Sequence, residues 1–329
     1  NTAIGFEALY TNTTGNYNTG VGTDALTLNT TGAQNTAIGV YSLRSNTTAN
    51  YNTAIGFEAL RLNLTGERNS AIGDRAMRAN TTGSFNMAIG SQSLEANTTG
   101  QSNMAIGYQS LFSNIIGNNN TAMGHESLKV ATGSDNVAVG FKAMTAVTTG
   151  LRNIAIGGNT GLAQTTGSDN TSVGSEAYLN GTTGQNNVCI GRRAGTDAVF
   201  NVITGSNNII LGNNSSANAY IKIAWTVTSD ERDKTDFKEV PHGLDFIKQL
   251  KPVQFQFRES REVDTTIGDI KYGFRAQDIL ALEGNSPIII DNKDLDNLKY
   301  TESNLIPVLV KAIQEQQTQI DELKQMVLS

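Results

Sequence analysis

The chain has 329 residues and a net charge of -6, and 16% of its residues are charged. This mildly acidic balance gives no electrostatic basis for binding nucleic acid, and a single cysteine excludes a disulfide framework. The sequence shows neither a signal peptide nor an apolar run long enough to cross a bilayer. We therefore expect a soluble protein without membrane insertion, and no residue pattern indicates a cofactor or a metal site.

One pattern fills the first two thirds of the chain. It reads Asn-Thr-Ala-Ile-Gly-x-x-Ala-Leu-x-x-Asn-Thr-Thr-Gly-x-x, and the units follow one another every 17 residues except for one step of 16 residues, from Asn120 to Asn136. A fixed period of this kind is typical of solenoids, whose units bury their apolar sides only against their neighbours. Twelve asparagines open the units: Asn1, Asn18, Asn35, Asn52, Asn69, Asn86, Asn103, Asn120, Asn136, Asn153, Asn170 and Asn187.

The composition changes near residue 216. Before it stand 29 of the 33 glycines, whereas all four prolines follow it. We therefore predict a repeat shaft over 1–215, a junction over 216–228 and a different domain over 229–329. Because the chain opens on Asn1 in register with the repeat and without a methionine, we also expect further sequence upstream.

The repeat favours β structure. Each unit carries glycines, threonines and asparagines that are poor in helix interiors, so short strands broken by turns fit better. Coils stacked at the spacing of adjacent strands, ~4.8 Å, would give a shaft of roughly 60 Å. We expect the Thr-Thr-Gly corners to use glycine for its permissive backbone in a tight turn, with Ala49 as the exception.

Two apolar columns are expected to form the core. The first is the Ala-Ile-Gly segment, represented by Ala37-Ile38-Gly39, and the second is the leucine column represented by Leu43. Adjacent strand residues point to opposite faces, yet Ala37 and Ile38 are both apolar. We infer that one face lies inside the coil and the other against a neighbouring subunit, which predicts a trimeric parallel β-roll.

The repeat also resembles known architectures. The pattern is similar to the parallel β-roll heads of trimeric autotransporter adhesins, although their repeat is shorter. It resembles more closely the Asn-Thr-Ala-Ile-Gly repeats of many phage and bacterial tail-fibre-like proteins. This likeness implies a fibre architecture and names no ligand.

Several residues in the shaft invite a functional interpretation. The Asn12-Thr13-Thr14 sequence matches a glycosylation sequon, but it recurs because the repeat recurs, which favours a structural Asn/Thr ladder. An ice-binding threonine array is disfavoured because Thr13 and Thr14 are adjacent and lie by a corner. Cys189 stands at an alanine position, which predicts a small buried thiol.

The sequence after residue 228 resembles a second family. Four segments carry the likeness to the intramolecular chaperone domain of endosialidases and tail spikes, the self-cleaving peptidase S74 family: 229–234 (SDERDK), 243–253 (GLDFIKQLKPV), 273–278 (GFRAQD) and 305–315 (LIPVLVKAIQE). The resemblance implies that this domain trimerises, sets fibre chains in register and releases itself by cutting the Thr228-Ser229 bond. It further implies that Ser229 is the catalytic serine and Lys234 its partner.

The chemistry of that pair is reasonable from the residues themselves. A hydroxyl is a weak nucleophile until a base takes its proton, and a partly desolvated lysine can do so. The five-residue spacing requires the segment to turn back on itself. The alternative is that Ser229 only caps a turn within a solvated charge run. One departure from the family pattern is Asp233, where an apolar residue usually precedes the lysine; its carboxylate would hold Lys234 protonated and slow the cut. His125 and His242 have no spacing that links them to Ser229.

A helix over about 302–328 is predicted to end the chain. Its apolar residues recur at alternating steps of three and four, which is typical of a coiled coil, although a helix facing the core of its own domain remains the alternative. The pattern does not separate a dimer from a trimer, and the trimer is implied by the resemblance. The predicted helix seam consists of Ile306, Leu309, Ile313, Gln316, Ile320, Leu323 and Val327.

Together these features predict a structural fibre or spike protein for attachment to a host or surface, located in a virion tail fibre or at the cell exterior. Its partners would be two further copies of itself and a cell-surface receptor, either a glycan or a surface protein. Its only chemistry would be a single self-cleavage before Ser229. The alternatives are a bacterial surface adhesin or injection-system fibre that retains the C-terminal domain uncleaved, and a polysaccharide-degrading spike, whose carboxylate cluster the repeat lacks.

Overall fold

The computed structural model describes residues 1–197, 201–213, 215–216, 229–258, 261, 263–285 and 287–328. The chain divides into two compact units, Asn1–Asn214 and Ser215–Ser329. Residues 217–228 of the expected junction lie outside the described residues.

The first unit is a solenoid whose coils stack through one sheet of thirteen parallel strands, each three residues long. This confirms the mainly β repeat fold. Each strand pairs with the strand one unit later, so that Thr53 is opposite Ser70 and Ala54 is opposite Ala71. The strands β1 to β13 are Thr2–Ile4, Thr19–Val21, Thr36–Ile38, Thr53–Ile55, Ser70–Ile72, Met87–Ile89, Met104–Ile106, Thr121–Met123, Val137–Val139, Ile154–Ile156, Thr171–Val173, Val188–Ile190 and Ile209–Leu211.

The thirteenth coil is not predicted by the fixed period, because the connection that leads to it is longer than in the other coils. In β13, Ile209 pairs with Val188 of β12, a step of 21 residues. The asparagine that opens this coil, Asn208, still donates its side-chain amide to Asn187 Oδ1 at 2.9 Å. The ladder therefore continues across the longer connection.

The interior of the coil is made of the alanine and leucine columns. Ala54 and Leu60 are both fully buried, as are their equivalents in most coils. Of the two apolar residues in the Ala-Ile-Gly segment, the alanine lies in this core and the isoleucine does not: Ile72 is 39% exposed in the single chain. The two residues thus face opposite sides, as expected, and cover of the outer side by a neighbouring subunit stays a prediction. Because neighbouring residues of a strand point to opposite faces, an inward alanine forces the next residue outward.

Every coil turns through left-handed backbone. Glu58, Leu60 and Arg68 have φ values of 53°, 49° and 56°, and Gly56 has a φ of 136°. The glycine of Ala-Ile-Gly is thus the one that supplies an unusual conformation. The corner glycines are required for another reason than the one expected: a Cβ on Gly83 would lie 2.4 Å from the carbonyl oxygen of Gly100 in the next coil.

Two columns of buried asparagines satisfy the backbone inside the coil. In the first column, Asn52 donates its backbone N–H to Asn35 Oδ1 at 3.0 Å and its side-chain amide to the Gly66 carbonyl at 2.9 Å. In the second column, Asn80 donates to Asn63 Oδ1 at 2.8 Å and to the carbonyl of Gly83 at 2.9 Å. These bonds give the asparagines of the repeat a structural role, as expected.

The second unit is a small α+β assembly. Its elements are α1 (Leu244–Gln249), β14 (Val253–Arg258), β15 (Thr266–Gly273), α2 (Ala276–Glu283), β16 (Ile290–Asp291), β17 (Lys299–Tyr300) and α3 (Leu305–Leu328). The strands form two antiparallel pairs, β14 with β15 and β16 with β17. Its core consists of Phe246, Ile279, Ile289, Ile290, Leu305 and Val308.

Buried charge also orders this unit. Glu283 lies at the end of α2 with 8% exposure, and its two carboxylate oxygens accept the backbone N–H groups of Ile288, Ile289 and Ile290 at 2.7–2.9 Å. Charged acceptors make the stronger hydrogen bonds, so this carboxylate holds the chain as it enters β16.

Helix α3 uses two of its faces differently. Leu305, Val308 and Ala312 are buried within the unit, and Glu315 accepts the backbone N–H of Leu244 at 2.7 Å. The predicted seam lies on the adjacent face, one position further along the helix at each step, and is exposed along its whole length. The helix therefore packs against its own unit and still presents an apolar stripe. Among the described residues, none of the helices has both the length and the apolar character needed to cross a membrane.

Candidate functional site

The segment that begins the second unit folds into one tight turn. Residues Glu231–Asp233 form a single 3₁₀ turn, and Asp230 caps its start by accepting the backbone N–H of Arg232 at 2.9 Å. Lys234 closes the turn by donating its backbone N–H to the carbonyl of Glu231 at 3.1 Å. The chain reverses here because Asp is a favoured capping residue and the short turn needs only these local bonds.

This turn brings together the two residues that the sequence singled out. Lys234 Nζ donates a hydrogen bond to Ser229 Oγ at 2.6 Å. Both side chains are exposed in the single chain. A lysine at this distance is placed to exchange a proton with the hydroxyl. Thr228, which contributes the other half of the predicted scissile bond, lies outside the described residues.

Charges next to the pair are themselves paired. Asp230 holds Arg232 through two further bonds, Oδ1 to Nε at 3.0 Å and Oδ2 to Nη2 at 2.6 Å. The hydrogen bond from the Arg232 side chain lowers the pKa of the Asp230 carboxyl, and the same bond raises the pKa of Arg232. Asp230 is therefore a carboxylate at any pH near neutrality.

The other titratable candidates lie elsewhere and have structural partners. His125 is in the shaft, stacked between Tyr108 and Phe141 at ring distances of 5.2 and 5.4 Å. His242 stacks on Phe246 at 4.4 Å. Cys189 is fully buried, and burial raises the pKa of its thiol to about 11, so it is inert as a nucleophile. In the described parts of the chain no group of three or more His, Cys, Asp or Glu residues could hold a metal ion.

The shaft presents a second feature of functional interest, an apolar outer stripe. It runs along the outward face of the sheet, with one aliphatic residue from each coil, all exposed or partly exposed. The neighbouring outward position of each strand is also uncharged throughout. The members of the outer stripe are Ile4, Val21, Ile38, Ile55, Ile72, Ile89, Ile106, Met123, Val139, Ile156, Val173, Ile190 and Leu211.

The turn lies at the start of a segment that matches a known family. Residues 229–283 match the Peptidase S74 family model, which is described as the chaperone of endosialidase. The chain carries a chaperone-of-endosialidase segment. The match begins at Ser229 itself and ends at Glu283, the buried carboxylate that holds the entry to β16. No curated protein and no solved structure matches the chain.

A chaperone-of-endosialidase segment following a parallel β-solenoid has the architecture of tail-fibre and endosialidase-type proteins. The recognition of both parts from sequence is thereby confirmed. The doubly apolar strands indicated that one of the two columns faces outward, but not that it is the isoleucine column. The capping role of Asp230 has no signal in the sequence, since it depends on the geometry of the folded turn.

Proposed function

We propose that this chain is a structural fibre or spike protein whose C-terminal unit assembles three copies in register and then releases itself by cutting before Ser229. The observation that carries the proposal is the 2.6 Å contact between Lys234 Nζ and Ser229 Oγ at the first residues of the chaperone-of-endosialidase segment. A nucleophile and a base held within hydrogen-bond reach are the minimum for an activated hydroxyl.

The cut can be written as a balanced reaction. Lys234 in its neutral form takes the proton of Ser229 Oγ as that oxygen attacks the carbonyl carbon of Thr228. The C–N bond then breaks, the proton passes to the leaving nitrogen, and the Thr228 acyl group is left as an ester on Ser229 Oγ. One water hydrolyses this ester, which gives a carboxylate on Thr228 and restores the hydroxyl of Ser229, now at the new N-terminus.

Two apolar surfaces support assembly. The outer stripe of the shaft repeats at the coil spacing of ~4.8 Å, so a partner that covers it continuously needs the same period, which a parallel copy of the chain has. The seam of α3 is the second surface, since Ile313 and Leu323 are 65% and 57% exposed. Three parallel copies would cover both surfaces together.

A chaperone is needed because pairing of coils within one chain has a fixed register, whereas pairing of shafts between chains does not. Within one chain, coil pairing is tied to chain connectivity, because each strand pairs with its immediate successor. Between chains, one coil of the shaft presents nearly the same stripe as the next, so a slip of one coil changes little locally. A C-terminal unit that aligns the ends of three chains fixes the register between them before the shafts associate.

The mature shaft would serve attachment, with a cell-surface glycan or protein as receptor and a virion tail fibre or the cell exterior as location. A bacterial surface adhesin that retains the C-terminal unit is the second candidate, and the exposed turn that carries Ser229 is compatible with it. The two differ in one property, because the adhesin would remain full-length on cells.

Replacement of the two residues tests the cleavage. We expect the wild-type chain to run as two fragments on a denaturing gel, and the Ser229→Ala and Lys234→Ala variants to run as one full-length band. Ser303→Ala, which changes a serine that precedes α3 in the same unit, is the matched control and should cleave normally. Cleavage that persists in both test variants would refute the assignment.

A further inference from the structure

Asp230 lies between Ser229 and the 3₁₀ turn that brings Lys234 back to Ser229. Its carboxylate accepts the backbone N–H and the Nε of Arg232 on one oxygen and the Nη2 of Arg232 on the other. Its own backbone carbonyl accepts the N–H of Asp233 at 3.1 Å. One residue thus starts the turn through both its main chain and its side chain.

The geometry of the pair depends on this turn. Ser229 and Lys234 are five residues apart and both exposed, and the lysine has a flexible four-carbon stem that loses rotamer freedom when its amine is held in one place. The time that Nζ spends at Oγ therefore depends on how firmly the backbone between them is closed. The backbone bonds of that closure run from Asp233 to Asp230 and from Lys234 to Glu231.

We infer, on the basis of the proposed self-cleavage, that Asp230 is a positioning residue for the Ser229–Lys234 pair, and that it acts through its cap on the Arg232 N–H. The ion pair with the Arg232 side chain is the lesser contribution. Arg232 has 88% of its side chain exposed, and exposed ion pairs contribute little because water and salt screen them. A side-chain cap on a backbone N–H contributes more, and Asn supplies it as well as Asp does.

Four variants of the full chain separate these contributions. The chain is made in a cell-free system, and the rate of cleavage is followed on denaturing gels from pH 6 to pH 10. Asp230→Ala, which removes the cap and the ion pair, should cleave about fivefold more slowly. Asp230→Asn keeps the cap and Arg232→Ala removes only the ion pair, so both should stay within about twofold of wild type. Asp245→Ala, which removes an exposed carboxylate of α1, is the control and should be unchanged.

The pH profile distinguishes positioning from an electrostatic effect on the lysine. A lost positioning residue lowers the plateau rate and leaves the pH midpoint where it is in wild type. A second cap variant, Asp230→Ser, should restore the rate that Asp230→Ala loses, which separates a lost cap from a unit that fails to fold.

Three results would overturn the inference: wild-type cleavage by Asp230→Ala, slow cleavage by Asp230→Asn equal to that of Asp230→Ala, or a shifted midpoint. Failure of the proposed function is distinct, since cleavage would then continue in Ser229→Ala.

Discussion

At the scale of single residues, two positions of the 17-residue unit are restricted to glycine for different reasons. Gly73 has a φ of 140°, and a Cβ there would also meet the carbonyl oxygen of Gly90 at 2.5 Å. The corner position is restricted by space alone, and Ala49 shows the consequence. In a corner that contains glycine, Thr13 N–H donates to the Thr30 carbonyl of the next coil at 2.9 Å. In the corner that contains Ala49, the corresponding bond from Thr47 N–H to the Leu64 carbonyl is 3.5 Å long.

Replacing Gly73 by Ala should therefore destabilise the shaft by about 2–4 kcal/mol, because the substitution combines a strained φ with a backbone clash. Thermal unfolding of the full chain measures the effect. Gly158→Ala is the matched control, since Gly158 has no atom within 4 Å of a Cβ and no positive φ. Equal melting temperatures for the two variants would contradict this explanation of the glycine column.

Cys189 offers a chemical test of the coil interior. Its thiol is fully buried and its pKa is raised to about 11 by burial, so at pH 8 about one thiol in a thousand is ionised. We expect no labelling by a thiol reagent at pH 8 in the folded chain and full labelling in denaturant. Because the pKa of the thiol is raised in the folded chain, burial of the neutral thiol stabilises the fold below the ordinary thiol pKa, and this stabilisation is lost as the pH rises through about 11. Rapid labelling of the folded chain would place Cys189 outside the core.

At the scale of elements, the asparagine ladders bind successive coils to one another. The second ladder runs from Asn12 to Asn114 and ends where Ala131 replaces the next asparagine. The Oδ1 atom of Asn114 is buried and has no hydrogen-bond partner among the described residues. An interior member of the ladder thus makes one more bond than its last member.

This difference predicts an order of stability. Asn80→Ala removes three hydrogen bonds: those that Asn80 donates to Asn63 Oδ1 and the Gly83 carbonyl, and the one that it accepts from Asn97. Asn114→Ala removes only the two bonds that Asn114 donates. At about 1 kcal/mol for each buried bond, Asn80→Ala should cost about 3 kcal/mol and Asn114→Ala about 2. Thermal unfolding of both variants side by side provides the measurement. A larger loss for Asn114→Ala would contradict the ladder account.

The same elements show what sequence could predict. The 17-residue period gave the solenoid, the strand positions and the leucine interior, because stacking repeats any local feature at the same place. It could not decide which of two adjacent apolar residues, such as Ala71 and Ile72, faces inward, since both choices satisfy the period. Nor could it show that Leu60 has a left-handed backbone, because that conformation depends on bonds to the next coil.

In the C-terminal unit, residue periodicity predicted less of the structure than it did in the shaft, and the family motif predicted more. The heptad seam of α3 was visible because it is exposed and regular. The inward face formed by Leu305, Val308 and Ala312 lies on the same helix and is set by packing within the unit. The pairing of Ser229 with Lys234 was anticipated through the family motif, while the cap that closes their turn depends on backbone geometry.

At the scale of the whole molecule, the outer stripe and the α3 seam both leave aliphatic side chains exposed in a single chain. Soluble proteins seldom expose long continuous apolar patches unless these form an interface. We predict that Ile55→Asp combined with Ile72→Asp prevents the shafts from associating, because each copy would bury two unpaired charges. Analytical ultracentrifugation should report a smaller assembly for this variant.

Leu62→Asp is the control for that prediction. Leu62 is 41% exposed, close to the 36% and 39% of Ile55 and Ile72, but it belongs to another column of the coil. It should leave the assembled mass unchanged. The same loss of mass in the control and in the stripe variant would show that the outer stripe has no special role.

In the assembly that we propose, the C-terminal unit joins three chains and then cuts itself away. Native mass spectrometry of the purified product measures both parts at once. We expect a complex of three identical chains, each ending at Thr228, with the fragment that begins at Ser229 found separately. A full-length monomer as the stable product would contradict it.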